Sequence, residues 1–256
     1  MGALAISLSV AALAFAAAVA GMHSHRVLPP EHLSKESRDA VMLGTGMLSV
    51  LASLVLGLLI ATAKNSYDLK DTNMRSFAAD IIVLDDILRD VGDETLPARR
   101  ALRDYTNQLL HDVWPGTSAS PYLIENKTAL EFMERLRAEI HALKPTNPDQ
   151  RSLVDEARAK STSLLRERWL LIEQSGPSVR ATVIGILVCW IVVIFASYGM
   201  NAPRNRTVYA AFLIASLAMG SAFFLILELD RPFEGLLRIS SRPVANAAAH
   251  ILPEDR

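Results

Sequence analysis

Hydrophobic and polar positions separate along this chain into blocks far longer than a helical turn. Four windows, Ala3–Met22, Val41–Ala63, Ala181–Met200 and Thr207–Leu227, are 20 to 23 residues long and contain no Asp, Glu, Lys or Arg. A helix rises about 1.5 Å per residue, so about 20 apolar residues cross a hydrocarbon core roughly 30 Å thick. The pattern predicts an all-α integral membrane protein with four transmembrane helices, at 3–22, 41–63, 181–200 and 207–227. A 117-residue insert, 64–180, separates the second and third spans, and a polar segment, 228–256, follows the fourth.

Inside the insert the apolar spacing changes to steps of three and four, which marks amphipathic helices. Ser66–Val91 carries Phe77, Ile81, Leu84 and Leu88 on one face and closes at Gly92. Thr95 is expected to cap a second helix, with Pro97 near its first turn and Leu102, Tyr105, Leu109 and Val113 facing inward. Trp114-Pro115-Gly116 stops it. A third helix is expected from about Leu123 to Leu143, with Leu130, Met133, Leu136, Ile140 and Leu143 as its stripe. Asn147-Pro148-Asp149-Gln150 has the form of a cap, a first-turn proline and a capping-box partner. It opens a last helix to about Gln174 that carries Leu153, Leu164, Leu165, Trp169 and Ile172. Gly176-Pro177 forms the joint into the third span. No stretch alternates as a strand would.

Topology turns on the first window. Ala18-Val19-Ala20 has the small-residue form of a cleavage site, but Met1-Gly2 supplies no positive n-region and the apolar run exceeds a typical h-region. The window is therefore expected to remain as a helix. Both termini and the insert then share one side, with His23–Ala40 and Asn201–Arg206 on the other. Nine Lys/Arg near the span ends on the insert side, against five opposite, favour a cytoplasmic insert.

Composition adds mainly exclusions. The 26 Lys+Arg and 27 Asp+Glu give a net charge of -1, which leaves no domain-wide basic surface to hold nucleic acid. Cys189 is the sole cysteine and lies in the third window, so no intrachain disulfide exists. Neither a Walker loop nor GxGxxG is present, and no Ser/His/Asp or Cys/His set is credible, so neither enzymatic activity nor a cofactor is expected. His23, Ser24 and His25 lack the further ligands of a metal site. Asp80, Asp85, Asp86, Asp90, Asp93 and Glu94 lack the alternation of an EF-hand and read as a solvated helix face, so no metal is expected.

Two local patterns carry candidate function. In the second span Thr45, Ser49, Ser53, Gly57 and Ala61 are all small and recur every four residues, an inclined ridge on the helix. Such a ridge serves close helix packing, or it lines a water-filled passage with hydroxyls. The absence of charge inside every span argues against proton-coupled transport, which needs ionisable groups at membrane depth, but is compatible with a passive pore. After the fourth span, Glu228-Leu229-Asp230-Arg231-Pro232-Phe233-Glu234-Gly235 reads as a helix stop with interfacial anchoring. Asp230 or Glu228 is expected to pair with Arg231 or a basic residue of the insert.

Several stretches together resemble the bacterial bestrophin-like family, a four-span domain of unknown function. They are Leu56-Gly57-Leu58-Leu59 leading through Asn65-Ser66-Tyr67-Asp68, then Ile82-Val83-Leu84-Asp85-Asp86-Ile87-Leu88, and Gly92-Asp93-Glu94-Thr95 with Arg99, Leu102 and Tyr105. Asp230, Arg231, Pro232, Phe233 and Gly235, followed by Ile239-Ser240 and Pro243, are similar to its C-terminal signature. Phe77-Ala78-Ala79 stands where many relatives carry a glutamate, so no role for such a carboxylate carries over. Bestrophins proper are pentameric ion channels whose second span lines the pore. The resemblance thus implies a homo-oligomer in a bacterial inner membrane, passing inorganic ions, with Thr45, Ser49, Ser53 and Gly57 at or beside the path. Glu228-Leu229-Asp230 is too poor in carboxylates to carry over a calcium site. The alternatives are a non-conducting membrane scaffold whose insert binds a protein partner and, more remotely, a small-molecule transporter.

Overall fold

The computed structural model describes residues 2–24, 35–114, 127–174, 176, 178–233 and 235–251. His25, the Pro115-Gly116 stop, the first residues of the third insert helix, Glu234 and the end of the tail lie outside the described residues. The described residues form eight α-helices, one 3-10 turn (Asp93–Thr95) and no strand: α1 (Ala3–His23), α2 (Lys35–Val91), α3 (Leu96–Val113), α4 (Lys127–Ala142), α5 (Pro148–Glu173), α6 (Ala181–Asn201), α7 (Arg206–Leu229) and α8 (Arg242–His250). Helices α1, α2, α6 and α7 are long and apolar enough to cross a membrane. The chain divides into two compact units, Met1–Tyr67 with Pro177–Arg231, and Asp68–Gly176 with Pro232–Arg256.

In the first unit, α1 packs against both α6 and α7. Lipid tails are as apolar as leucine, so helices in a bilayer associate chiefly by close approach of small residues. The alanines of α1 provide that approach: Ala11, Ala14, Ala17 and Ala18 are buried. At Gly199 an added Cβ would collide with the carbonyl of Ala18, and at Gly21 with the carbonyl of Ala196. At Gly220 it would press on Ala11 and the Ser7 carbonyl. Arg204 Nε also donates to Met22 O at 2.8 Å, tying the α6–α7 turn to the end of α1. Helix α2 joins this core through Ala52, Leu48, Val55, Leu56 and Leu59.

Helix α2 runs 57 residues without interruption. The expected second span and first insert helix are therefore one element. Lys64 and Asn65 end the apolar window, but neither breaks a helix, and from Leu58 to Val91 the chain has no proline or glycine. The stop comes at Gly92, with φ 126° and ψ −173°, a conformation that a side chain disfavours.

The second unit is a helical body built on the predicted stripes. Phe77, Ile81, Leu84 and Leu88 of α2, Leu102 and Tyr105 of α3, and Met133, Leu136 and Ile140 of α4 are all fully buried. Fully burying a Leu, Ile, Phe or Met contributes about 1.5–3 kcal/mol relative to exposure. Three local expectations are corrected. Thr95 does not cap α3; its Oγ1 donates to Leu88 O at 2.6 Å and Gly92 O at 2.7 Å, closing α2 instead. Asn147 Oδ1 does accept from Gln150 N at 2.7 Å, but Gln150 Oε1 reaches one residue further back, to Thr146 N at 2.9 Å. The inner face of α5 is Val154, Ala157, Ser161, Leu164, Arg168 and Leu171, while Trp169 is 52% exposed. Helix α8, unanticipated, has a first-turn proline and buries Val244 and Ala247.

Candidate pore-lining face and C-terminal motif

The small-residue ridge of α2 divides along its length. Thr45 is buried and Ser49 half-buried, whereas Ser53 and Gly57 are exposed. A Cβ at Gly57 would meet nothing within 4 Å, so within one chain the ridge is not a tight packing seam there. Ser49 Oγ donates to Thr45 O at 2.7 Å and Ser53 Oγ to Ser49 O at 2.8 Å. The hydroxyl protons are thus taken up by the helix itself, and the oxygens keep lone pairs for the open side. Ser49 Oγ also lies 3.3 Å from the Tyr198 hydroxyl of α6, a partner that spacing within α2 could not reveal. Ser49, Ser53 and Leu56 border a groove of about 90 Å³ closed by Ile191 and Phe195 of α6 and Met219 of α7.

The C-terminal motif is built differently from the expectation. Asp230 is buried at the end of α7, and its Oδ1 accepts from Ser178 N at 2.6 Å, from Ser178 Oγ, and from Val179 N at 3.1 Å. Its partners are thus the residues leading into α6, where donors lie outside the helical bonding pattern. Arg231 is exposed. Pro232 is buried, and its carbonyl accepts from Ile239 N at 2.7 Å, closing a loop. Gly235 turns that loop with φ 76°. Phe233 meets Trp114 edge-on with centroids 6.3 Å apart, while Trp114 Nε1 donates to Ile239 O at 3.0 Å. Asp230, Pro232 and Gly235 therefore organise backbone, each by a different means, while Phe233 packs against the Trp114 ring.

Two polar clusters in the helical body overturn the picture of a uniformly solvated acidic face. Asp85 is fully buried and gripped by Arg99 through Nε at 2.7 Å and Nη2 at 3.1 Å, with Arg89 Nη2 at 2.9 Å. Asp86 and His250 lie near enough to Asp85 to suggest metal ligation. Two guanidinium groups already occupy the Asp85 oxygens, however, so the cluster is an ion-pair network. Tyr105 is buried beneath Arg168, whose guanidinium sits 5.8 Å from the ring centroid. Burial raises the Tyr105 pKa, and the nearby Arg168 charge partly opposes this.

The second cluster joins Asp80 of α2 to α5. Lys160 Nζ donates to Asp80 Oδ1 at 3.2 Å, and Ser163 Oγ to Glu167 Oε1 at 3.3 Å. Desolvation pushes the Glu167 carboxyl above its ordinary value of 4.5, and the neighbouring Asp80 carboxylate adds to the rise. The fold therefore favours the protonated acid. This contribution to stability is present below about 4.5 and is lost as pH rises through the elevated value. Glu167→Gln should flatten that part of the pH profile, as read by thermal midpoints of the full chain between about pH 4 and pH 7. An unchanged slope would exclude Glu167 as its source.

A family model described as the bestrophin-like domain matches residues 12–244. The chain belongs to the bestrophin-like family. The match starts within α1 and ends within α8, so this bestrophin-like protein carries its family signal across both compact units. With four helices of membrane-crossing length, it is a membrane protein of that family. Among curated proteins and among solved structures, no match is found.

Proposed function

We propose that this bestrophin-like protein is a homo-oligomeric, passive ion channel of a bacterial inner membrane, with α2 lining the path and the insert and both termini in the cytoplasm. The observation that carries the reading is the open part of the α2 ridge: Ser53 and Gly57 present oxygen and backbone where one chain places no neighbour against Gly57. A row of small residues left open in the monomer suits a lumen shared between copies. The charge-free spans are compatible with passive conduction rather than ion-coupled transport. Retention of α1 belongs to the proposal, supported by its backbone-close packing on α6 and α7. Pentameric assembly comes from the family analogy.

Purified protein in planar bilayers should pass current, and silence at every voltage and ion gradient would leave the scaffold reading in its place. Ser53→Trp should cut unitary conductance at least severalfold while leaving the oligomeric mass in detergent unchanged. If that variant conducts normally but dissociates, the ridge is a packing surface between copies.

A further inference from the structure

The contact between α2 and α5 contains an acid whose protonation decides whether its hydrogen bonding is complete. Glu167 lies on α5, and its Oε1 accepts from Ser163 Oγ at 3.3 Å. Its Oε2 is shut off from solvent and has no hydrogen-bond partner among the described residues. The Asp80 carboxyl of α2 lies within hydrogen-bonding reach of this side chain, and Lys160 Nζ donates to Asp80 Oδ1 at 3.2 Å. Ionised carboxylates accept and never donate, so Oε2 stays orphaned while both acids are charged. One proton on Glu167 removes the defect. Its hydroxyl can then donate to Asp80, whose negative charge Lys160 still balances.

The surroundings set the direction of the response. Desolvation is the largest influence raising the Glu167 pKa, and the Asp80 charge and hydrogen bond add to it, while Ser163 and Lys160 oppose. Helices α4 and α3 also pack on α5, α3 through Tyr105 beneath Arg168. Among the described residues, none of their charges bears on Glu167. Released into water, the acid returns to its ordinary value of 4.5, so the proton favours the closed contact over an open one. That preference is complete below about 4.5 and is lost as pH rises through the elevated value. Above it, a desolvated carboxylate faces a second one across the contact. The helices so joined both lead to apolar spans: α2 is long enough to cross a membrane itself, and α6 follows α5 after residues 174–180.

We propose that Glu167 and Asp80 form a proton-operated clasp between α2 and α5, closed when the two acids share a proton and loosened when both are ionised. Both residues belong to the same compact unit, so the clasp is independent of conduction and of how the chain sits in a bilayer.

The test uses the full chain with Cys189→Ser, and with Ser76→Cys on α2 and Thr162→Cys on α5, both exposed positions, carrying spin labels. Distances between the labels are read by electron paramagnetic resonance in detergent, from about pH 4 to about pH 8. A short, narrow distribution is expected at acid pH, with a longer or broader component growing severalfold as pH rises. Asp80→Asn should move the midpoint of that growth down, because it removes a charge that favours the proton on Glu167. Lys160→Gln should move it up, because it removes a charge that opposes the proton. In Glu167→Gln the amide can donate to Asp80 at every pH, so the acid-pH distribution should persist throughout. A contact with only a structural role would not send the two charge variants in opposite directions. A distribution that stays constant across the whole range would overturn the proposal, as would an unaltered transition in Glu167→Gln. So would midpoints for Asp80→Asn and Lys160→Gln that move together or not at all, which would place the sensor elsewhere.

Discussion

Gly199→Val should be among the most damaging single substitutions in the membrane unit. The new Cβ would lie inside the contact distance of the Ala18 carbonyl, carbon and Cα, all of them backbone atoms that cannot rotate aside. Helix α1 must then move away from α6, and the reciprocal contact of Gly21 with Ala196 opens with it. Overpacking of a tight site costs about 1–3 kcal/mol, and the upper end applies where backbone meets backbone. Gly185→Val provides the control, because the same change on the same helix meets nothing within 4 Å. Thermal unfolding in detergent should show a markedly lower midpoint for Gly199→Val and little change for Gly185→Val. Equal losses would mean that helix propensity, not the α1–α6 contact, sets the outcome.

Asp85→Ala should do comparable damage in the helical body. It removes a fully buried carboxylate and leaves the Arg99 side chain, 11% exposed, as a charge without its bidentate partner. Breaking a buried pair from one side costs about 3–5 kcal/mol, largely the penalty of the stranded charge. Asp86 supplies the comparison: it sits one residue away, is 49% exposed and also pairs with Arg89, at 3.3 Å. Asp86→Ala should therefore cost no more than about 1 kcal/mol. Chemical denaturation of the full chain should separate the two variants clearly. If they unfold at the same midpoint, the Asp85 fork contributes no more than a surface pair.

These two sites differ in how far the sequence discloses them. The spans were legible because hydrocarbon imposes a length and a composition that soluble helices do not share. The stripes of α2, α3 and α4 were legible because burial on one face imposes a period. Position along a period is harder to read. On α5 the eye takes Trp169 as core because of its size, yet Arg168 occupies the inner face and pairs with Tyr105 on a different helix. At Lys64 polarity marks only an end of apolar surroundings and not an end of structure, so α2 runs on through it. Thr95 has the identity of a helix start, but its hydroxyl serves the helix before it. Asp85 reads like its solvated neighbours because a carboxylate's burial depends on a partner 14 residues away. Asp230 was likewise visible as a motif residue, while its partners lay 51 and 52 positions distant. The small-residue seam on α1 is hidden in the sequence by that helix's general richness in alanine.

The bonds from Asp230 to Ser178 and Val179 have a mechanical consequence. Helices α6 and α7 are joined at one end by the short turn after Asn201 and pinned at the other by this carboxylate, which forms a closed ring of chain. Two rods fastened at both ends cannot slide past one another by a helical turn, a stroke of about 5.4 Å. Any displacement of this hairpin must carry both helices together, as a single lever.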